Sequence, residues 1–445
     1  MNTPIYDFCR KYADTKALRL HMPGHKGMGV LGCEELDLTE IEGADSLFEA
    51  EGIIRESEQN ASSLFGCRTF YSTEGSSLCI RAMLYLASLY AKEKGEKPLI
   101  LAGRNAHKTF ISACALIDFQ IEWIYPEEGE SYLSCTINPE RLDRILTASK
   151  AKPTAVYVTS PDYLGNIQDI KGISQICKKH NVLLLVDNAH GAYLKFLEKS
   201  QHPMDLGADM CCDSAHKTLP VLTGGAYLHI SKEAPLFFSE RAKLALSLFA
   251  STSPSYLILQ SLDLANIFIS EKYSQKLNSF IAEVDKLKEA LKNHGYHLKG
   301  EEPLKVTINA KDFGYTGCEL SQILAKNHIF CEFADPDFIV FMLTQENTKD
   351  ELAKLLSVLC SIPELPPIIT ASPSFHIPER VLSPREAVFS QNEVINAQDS
   401  LGRILAGTNV GCPPAVPLIA CGERIDKNTI ALFEYYHVKN CIVTK

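Results

Sequence analysis

The sequence lacks a long apolar run. No window approaches the ~18 uninterrupted apolar residues that a membrane-crossing helix needs, and the opening stretch MNTPIYDFCRKYADTK has no apolar core of the kind a secretory leader carries. A membrane is therefore not an expected partner, and a cytoplasmic location is the expectation. Blocks of one charge sign are missing too. Lys plus Arg number 44 against 54 Asp plus Glu, a net charge of −10 scattered along 445 residues, and this argues against nucleic acid as a partner. Cysteine is not scarce, at 15, but it is never spaced C-x-x-C and occurs singly or as the pair Cys211-Cys212. That pattern excludes a disulfide framework and a zinc knuckle and suits reduced, buried thiols. There is no internal repeat and no low-complexity tract.

What is present is an alternation of short apolar runs with helical patterns between about residues 60 and 230, the mark of a parallel sheet with helices on its faces. The strand candidates are PLILAG (98–103), IEWIYP (121–126), TAVYVTS (154–160), VLLLVDN (182–188), ADMCCDS (208–214) and GGAYLHI (224–230). Several are apolar throughout, as strands covered on both faces should be. Between them, Cys79, Met83, Leu86 and Tyr90 share one helical stripe that ends near Lys92, Lys94 and Gly95. Long helical stretches run to Gly295. PLKVTINA (303–310), a helix near 317–327 and FIVFML (338–343) then suggest a smaller α/β unit, and the proline-rich 361–375 reads as a linker. NAQDSLGRILAG is read as a further helix. At this length more than one core is required, and the division expected is 1–295, 296–365 and 366–445.

The chemistry concentrates at three places. The run VLLLVD ends in Asp187, and thirty residues later Lys217 comes after another strand in CCDSAHKTLPVLTGG. Ligands of open α/β sheets sit outside the carboxyl ends of strands, so both groups face one crevice. The third place is STEGSS (72–77), at a helix start, where free N–H groups, hydroxyls and the helix dipole suit a phosphate. Lysine, acid and phosphate cradle are the three requirements of pyridoxal 5′-phosphate. Taken singly, a lysine after a strand is usually a solvated residue, and a Ser/Thr/Gly helix start is usually only a cap.

HMPGHKG (21–27), EGIIRESEQNASSLFG (51–66), RNAHKTF (104–110), VDNAHGAY (186–193), DSAHKTLPVLTGGAYLH (213–229) and PPAVPLIACGERI (413–425) resemble, in order, the motifs of the ornithine/lysine/arginine decarboxylases. The resemblance implies an α/β fold. Its large domain would be aspartate aminotransferase-like, with a mostly parallel sheet between helices, followed by smaller α/β C-terminal domains. It implies pyridoxal 5′-phosphate as cofactor, a homodimer, and decarboxylation of arginine, lysine or ornithine to the amine, with a place in polyamine biosynthesis. Carried over by position, Lys217 would hold the cofactor covalently and Asp187 would pair with the ring nitrogen. His107 would stack on the ring and Ala189 would pack its other face. Ser72, Thr73, Glu74 and Gly75 would bind phosphate with Ser214 and His216, and no metal is implied. His190 could be a supporting group or a helix-start residue.

Two features depart from that pattern. Phe70-Tyr71 stand where relatives carry Asn-Gly, and Ala415-Val416 and Cys421 replace Gly-Ile and Pro in the C-terminal element, which leaves the substrate open. An aminotransferase or another lyase on the same fold is the alternative, with Arg403 or Arg424 as candidate carboxylate clamps. A catalytically inactive regulatory protein is a second. His21 and His25 are four apart, but no Glu or third ligand comes after them in the pattern of a metal helix.

Overall fold

The computed structural model describes residues 1–370, 372–408, 410–412 and 415–445; Pro413 and Pro414 of the C-terminal element lie outside them. Seven strands form one sheet in the order β1–β7–β6–β5–β4–β2–β3. These are β1 (Arg68–Ser72), β2 (Leu99–Gly103), β3 (Gln120–Ile124), β4 (Ala155–Thr159), β5 (Leu183–Asp187), β6 (Met210–Asp213) and β7 (Ala226–Ile230). β2 pairs with β3, and β5 with β6, in parallel, whereas β7 runs antiparallel to both β6 and β1. The residues of β2, β6 and β7 are buried along their whole length, which explains why their sequences are apolar without alternation. The expected α/β class with a large, mostly parallel sheet is what the chain forms.

The chain divides into two compact units. The first comprises Met1–Pro98, Thr154–Val156 and Ile170–Lys276. In it, helix α1 (Pro4–Asp14) and helix α2 (Ile53–Phe65) pack with the helix Tyr256–Ser270, while helix α3 (Gly75–Glu93) lies on β6 and β7 and against the helix Leu236–Ser247. The stripe anticipated on α3 is real, since Cys79, Met83 and Leu86 are fully buried, and the chain then turns at Gly95 with φ of 74°.

The second unit comprises Leu99–Pro153, Tyr157–Asp169 and Leu277–Lys445. It contains β2, β3, helix α4 (Lys108–Ile117) and an antiparallel four-stranded sheet. That sheet's strands, β8 (His297–Lys299), β9 (Lys305–Asn309), β10 (Phe333–Ala334) and β11 (Phe338–Met342), lie in the order β10–β11–β9–β8. Its core joins Tyr132, Tyr163 and Phe338 to Leu432, Phe433 and Val443. The helix expected over NAQDSLGRILAG (396–407) does not form. Only Ala397–Asp399 make a 3₁₀ turn. Gly402 then takes φ of 81°, and Ile404 and Leu405 form β-bridges to Arg424 and Val443, so long-range pairing wins over the local pattern.

Candidate active site at the carboxyl ends of β5 and β6

Two strand ends build the centre of the site. β5 and β6 are parallel, with Asp187 opposite Cys212, so the loops leaving both strands emerge at the same edge. Asp187, 3% exposed, accepts from the Ala189 N–H at 3.3 Å and from the Cys212 thiol at 3.6 Å. Burial, reinforced by the charge of Asp187, pushes that thiol well above its ordinary pKa, so it stays a donor. β6 ends at Asp213, and the chain turns at once through the single-turn helix Ala215–Thr218 that carries Lys217. The Lys217 Nζ lies 2.8 Å from His190 Nε2. His190 is buried, three residues beyond Asp187, and nothing in the residue spacing announces this contact.

The loop from β1 into α3 supplies the hydroxyl and amide groups. Ser72 Oγ accepts from the Glu74 N–H at 3.1 Å and donates to the Gly75 carbonyl at 3.0 Å. No side chain caps α3 at its start. Glu74 instead turns away, accepting at Oε1 from the Ser251 N–H at 2.7 Å. Ser214 reaches the same helix start through Ser76, with the hydroxyls 2.8 Å apart. His216 is fixed by the Gly225 carbonyl, which lies 2.9 Å from Nδ1. The paired glycines before β7 now have a reason. A β-carbon on Gly224, at φ of 101°, would lie 2.7 Å from the Thr73 carbonyl oxygen, and the Gly75 N–H donates to the Gly224 carbonyl at 2.7 Å.

The first unit thus brings together Ser72, Thr73, Glu74, Gly75, Asp187, Ala189, Ser214, His216 and Lys217. Its donor set fits a phosphorylated pyridine aldehyde: an uncapped helix start with hydroxyls for the phosphate, a buried acid for a ring nitrogen and a lysine amine. A β-carbon on Gly75 would meet nothing within 4 Å, so the cradle has open space beside it. Tyr71 also finds its place here, its hydroxyl sunk among Ser57 and Asn266 at 2.8 Å each, away from the loop's own hydroxyls.

His107 belongs to the second unit. It caps α4, its Nδ1 accepting from the Thr109 N–H at 3.1 Å. There RNAHKTF and the C-terminal element are stitched together. Arg104, 2% exposed, donates to the Pro417 carbonyl at 2.8 Å and pairs with Glu423 at 3.3 Å, and the Lys108 N–H donates to the Ala415 carbonyl at 2.9 Å. The two candidate carboxylate clamps are engaged within this unit, Arg403 with Glu393 and Arg424 with Glu379, each at 2.7 Å. His21 and His25 do not converge: one meets the Tyr12 hydroxyl at 2.7 Å and the other Asp37 at 3.2 Å.

Comparison with known proteins bears on family and fold. Residues 3–308 match the family described as Orn/Lys/Arg decarboxylase, major domain. The YaaO protein of Bacillus subtilis strain 168 is 30% identical over 97% of this chain and 93% of its own. An arginine decarboxylase of Halalkalibacterium halodurans is 29% identical over 96% and 92%. Among solved structures, the Francisella novicida lysine decarboxylase LdcF superposes with a TM-score of 0.76 at 16% identity, covering 100% of this chain and 81% of that one. At that identity the likeness speaks for the fold alone. Among the described residues no helix is long and apolar enough to cross a membrane.

Proposed function

The chain belongs to the ornithine/lysine/arginine decarboxylase family, and from that premise we propose that it uses pyridoxal 5′-phosphate to release CO2 from a basic amino acid, arginine first. The observation that carries the reading is the 2.8 Å contact of Lys217 with His190 at the ends of the parallel strand pair on which Asp187 also ends, in the same unit as the Ser72–Gly75 helix start. Support for arginine comes from the relatives called arginine decarboxylases, which align along more than nine-tenths of this chain.

When bound, pyridoxal 5′-phosphate supplies an electron sink for the pair left behind by the departing carboxylate. Lys217 would hold it covalently, and the Ser72–Gly75 loop with Ser214 and His216 would hold its phosphate. Asp187, shielded from water, would pair with the ring nitrogen. Ala189 would leave space for the ring, which a larger side chain would take. The Lys217 amine would return a proton to the α-carbon, and His190 Nε2, 2.8 Å from Nζ, is placed to exchange that proton.

The proposed assembly is a homodimer with its active sites at the subunit boundary. Six large apolar side chains stand in the first unit with little cover: Leu18 and Leu20 at 83% exposure, Met22 at 64%, Met28 at 79%, Val30 at 99% and Leu31 at 82%. A patch of this kind on one segment favours a second copy as its cover.

Borohydride reduction of the cofactor-loaded protein, with peptide mapping afterwards, tests the site. A pyridoxyl group on Lys217 is expected. Label on any other lysine removes the assignment.

A further inference from the structure

We propose that Asp213 is a positioning residue of this site: from the sealed core it fastens the strand end that carries Asp187 to the turn that carries Lys217. This role rests on the cofactor reading of the site. Asp213 is the last residue of β6, immediately before Ser214–Lys217, and Asn188 comes directly after Asp187. The Asn188 amide donates to Asp213 Oδ1 at 2.7 Å, and the Asn188 N–H donates to the Cys212 carbonyl at 3.0 Å. The second oxygen, Oδ2, meets His202 Nε2 at 2.9 Å and His229 Nε2 at 3.1 Å. Asn188, Asp213, His202 and His229 are all 0% exposed.

The network reaches every strand beside the site. His229 comes from β7, and its Nδ1 lies 2.9 Å from the Thr69 hydroxyl of β1 and 3.5 Å from the Cys67 thiol. One carboxylate therefore ties together β5, β6, β7 and β1 and the segment holding His202. Gly191 makes the Asn188 arm possible, because a β-carbon there would sit 2.1 Å from Asn188 Oδ1. Burial alone would raise the Asp213 pKa, but the two imidazoles hold it well below the ordinary carboxylate range. Burial drives His202 down, whereas for His229 the Cys67 and Asp213 contacts override burial and push it up to about 9. Both Nε2 atoms are placed to donate to Oδ2, so the carboxylate is a fixed acceptor.

A metal would need a different arrangement. His202, Cys211 and Asp213 offer ligand atoms within 4.8 Å of one another. Contacts of 2.9 and 3.1 Å from two imidazoles onto one oxygen have hydrogen-bond length, which accounts for the cluster without an ion.

The test compares wild type, Asp213→Asn, Asn188→Ala and the double variant, each loaded with cofactor. Visible circular dichroism of the lysine-bound cofactor, cofactor dissociation, melting temperature and the split between kcat and KM are read. Asn188→Ala leaves the carboxylate its two imidazoles, so it remains informative if Asp213→Asn does not fold. The expected result is a weakened dichroic band, cofactor dissociation raised about 10-fold or more, and kcat lowered about 10-fold with KM within about threefold, as for a group that orients rather than binds. The double variant should be no worse than the worse single one, because both cut the same link. Unchanged dichroism and cofactor affinity, with the loss confined to melting temperature, would overturn the inference while leaving the site intact. A stoichiometric divalent metal removed by chelator would also overturn it. Wild type showing no lysine-bound cofactor band removes the site reading itself, a distinguishable failure.

Discussion

Asp187 and Asp213 are buried carboxylates at the ends of neighbouring strands, and their surroundings give them different work. Asp213 is held by two imidazoles and an amide at 2.7 to 3.1 Å, whereas the Ala189 amide and the Cys212 thiol meet Asp187 at the longer distances of 3.3 and 3.6 Å. The tighter set fixes a strand end. Asp187→Asn should keep its melting temperature within a few degrees and lose roughly 10²-fold or more in turnover, because it removes a preorganised charge at the reacting centre. Near-normal turnover in that variant takes Asp187 out of the mechanism. At this scale Lys217 and Asp187 were legible in the sequence, since a strand-end acid and a lysine in S-x-H-K leave a spacing signal. The His190 contact was not legible, because it depends on how the chain turns after β5. Asp213, His202 and His229 were missed for the same reason: they are distant in sequence and meet only through sheet order.

Among the elements, α1 shows how a helix start is satisfied from afar. It has no side-chain cap of its own, and Asp263, on the helix Tyr256–Ser270, accepts from the Ile5 and Tyr6 N–H groups at 2.9 and 3.0 Å. Burial pushes that carboxyl up to about 6, against the pull of Ser57 and the two amides. The folded state then holds a proton that the unfolded chain, titrating near 4, has already released. This contribution is complete below the unfolded value and is lost as pH rises through about 6. Relative to Asp263→Asn, wild type should be favoured by about 2 kcal/mol more at pH 4.5 than at pH 7. Denaturant unfolding of both proteins at both pH values checks this, and a pH-independent gap contradicts it. The helix stripe of α3 and the runs of β2 and β4 to β7 were readable because burial leaves an apolar signature, whereas β3, at the sheet edge, alternates exposed and buried residues at its start. β1 was not readable: RTFYS is neither an apolar run nor an alternating one, and it owes its place to antiparallel pairing with β7. NAQDSLGRILAG misled because its apolar spacing serves long-range bridges rather than a helical face.

For the whole molecule, the exposed apolar segment 18–31 supports the proposed dimer. Sedimentation should give twice the 49.3 kDa chain mass, and charged substitutions at Leu20 and Val30 should shift it towards monomer with loss of activity. A monomer fully active at nanomolar concentration contradicts the shared-site assembly. Orientation in the pocket decides which substrate bond breaks. A remote cation held there can place the substrate so that its carboxylate, rather than its α-hydrogen, leaves. The most direct measurement incubates the cofactor-loaded protein with arginine, lysine and ornithine in turn and quantifies CO2 and amine against keto acid. The expected result is CO2 and the matching amine in equal amounts, with arginine turned over best and keto acid only in trace. Keto acid accumulating with stoichiometric pyridoxamine phosphate and no CO2 would contradict decarboxylation and make the protein an aminotransferase.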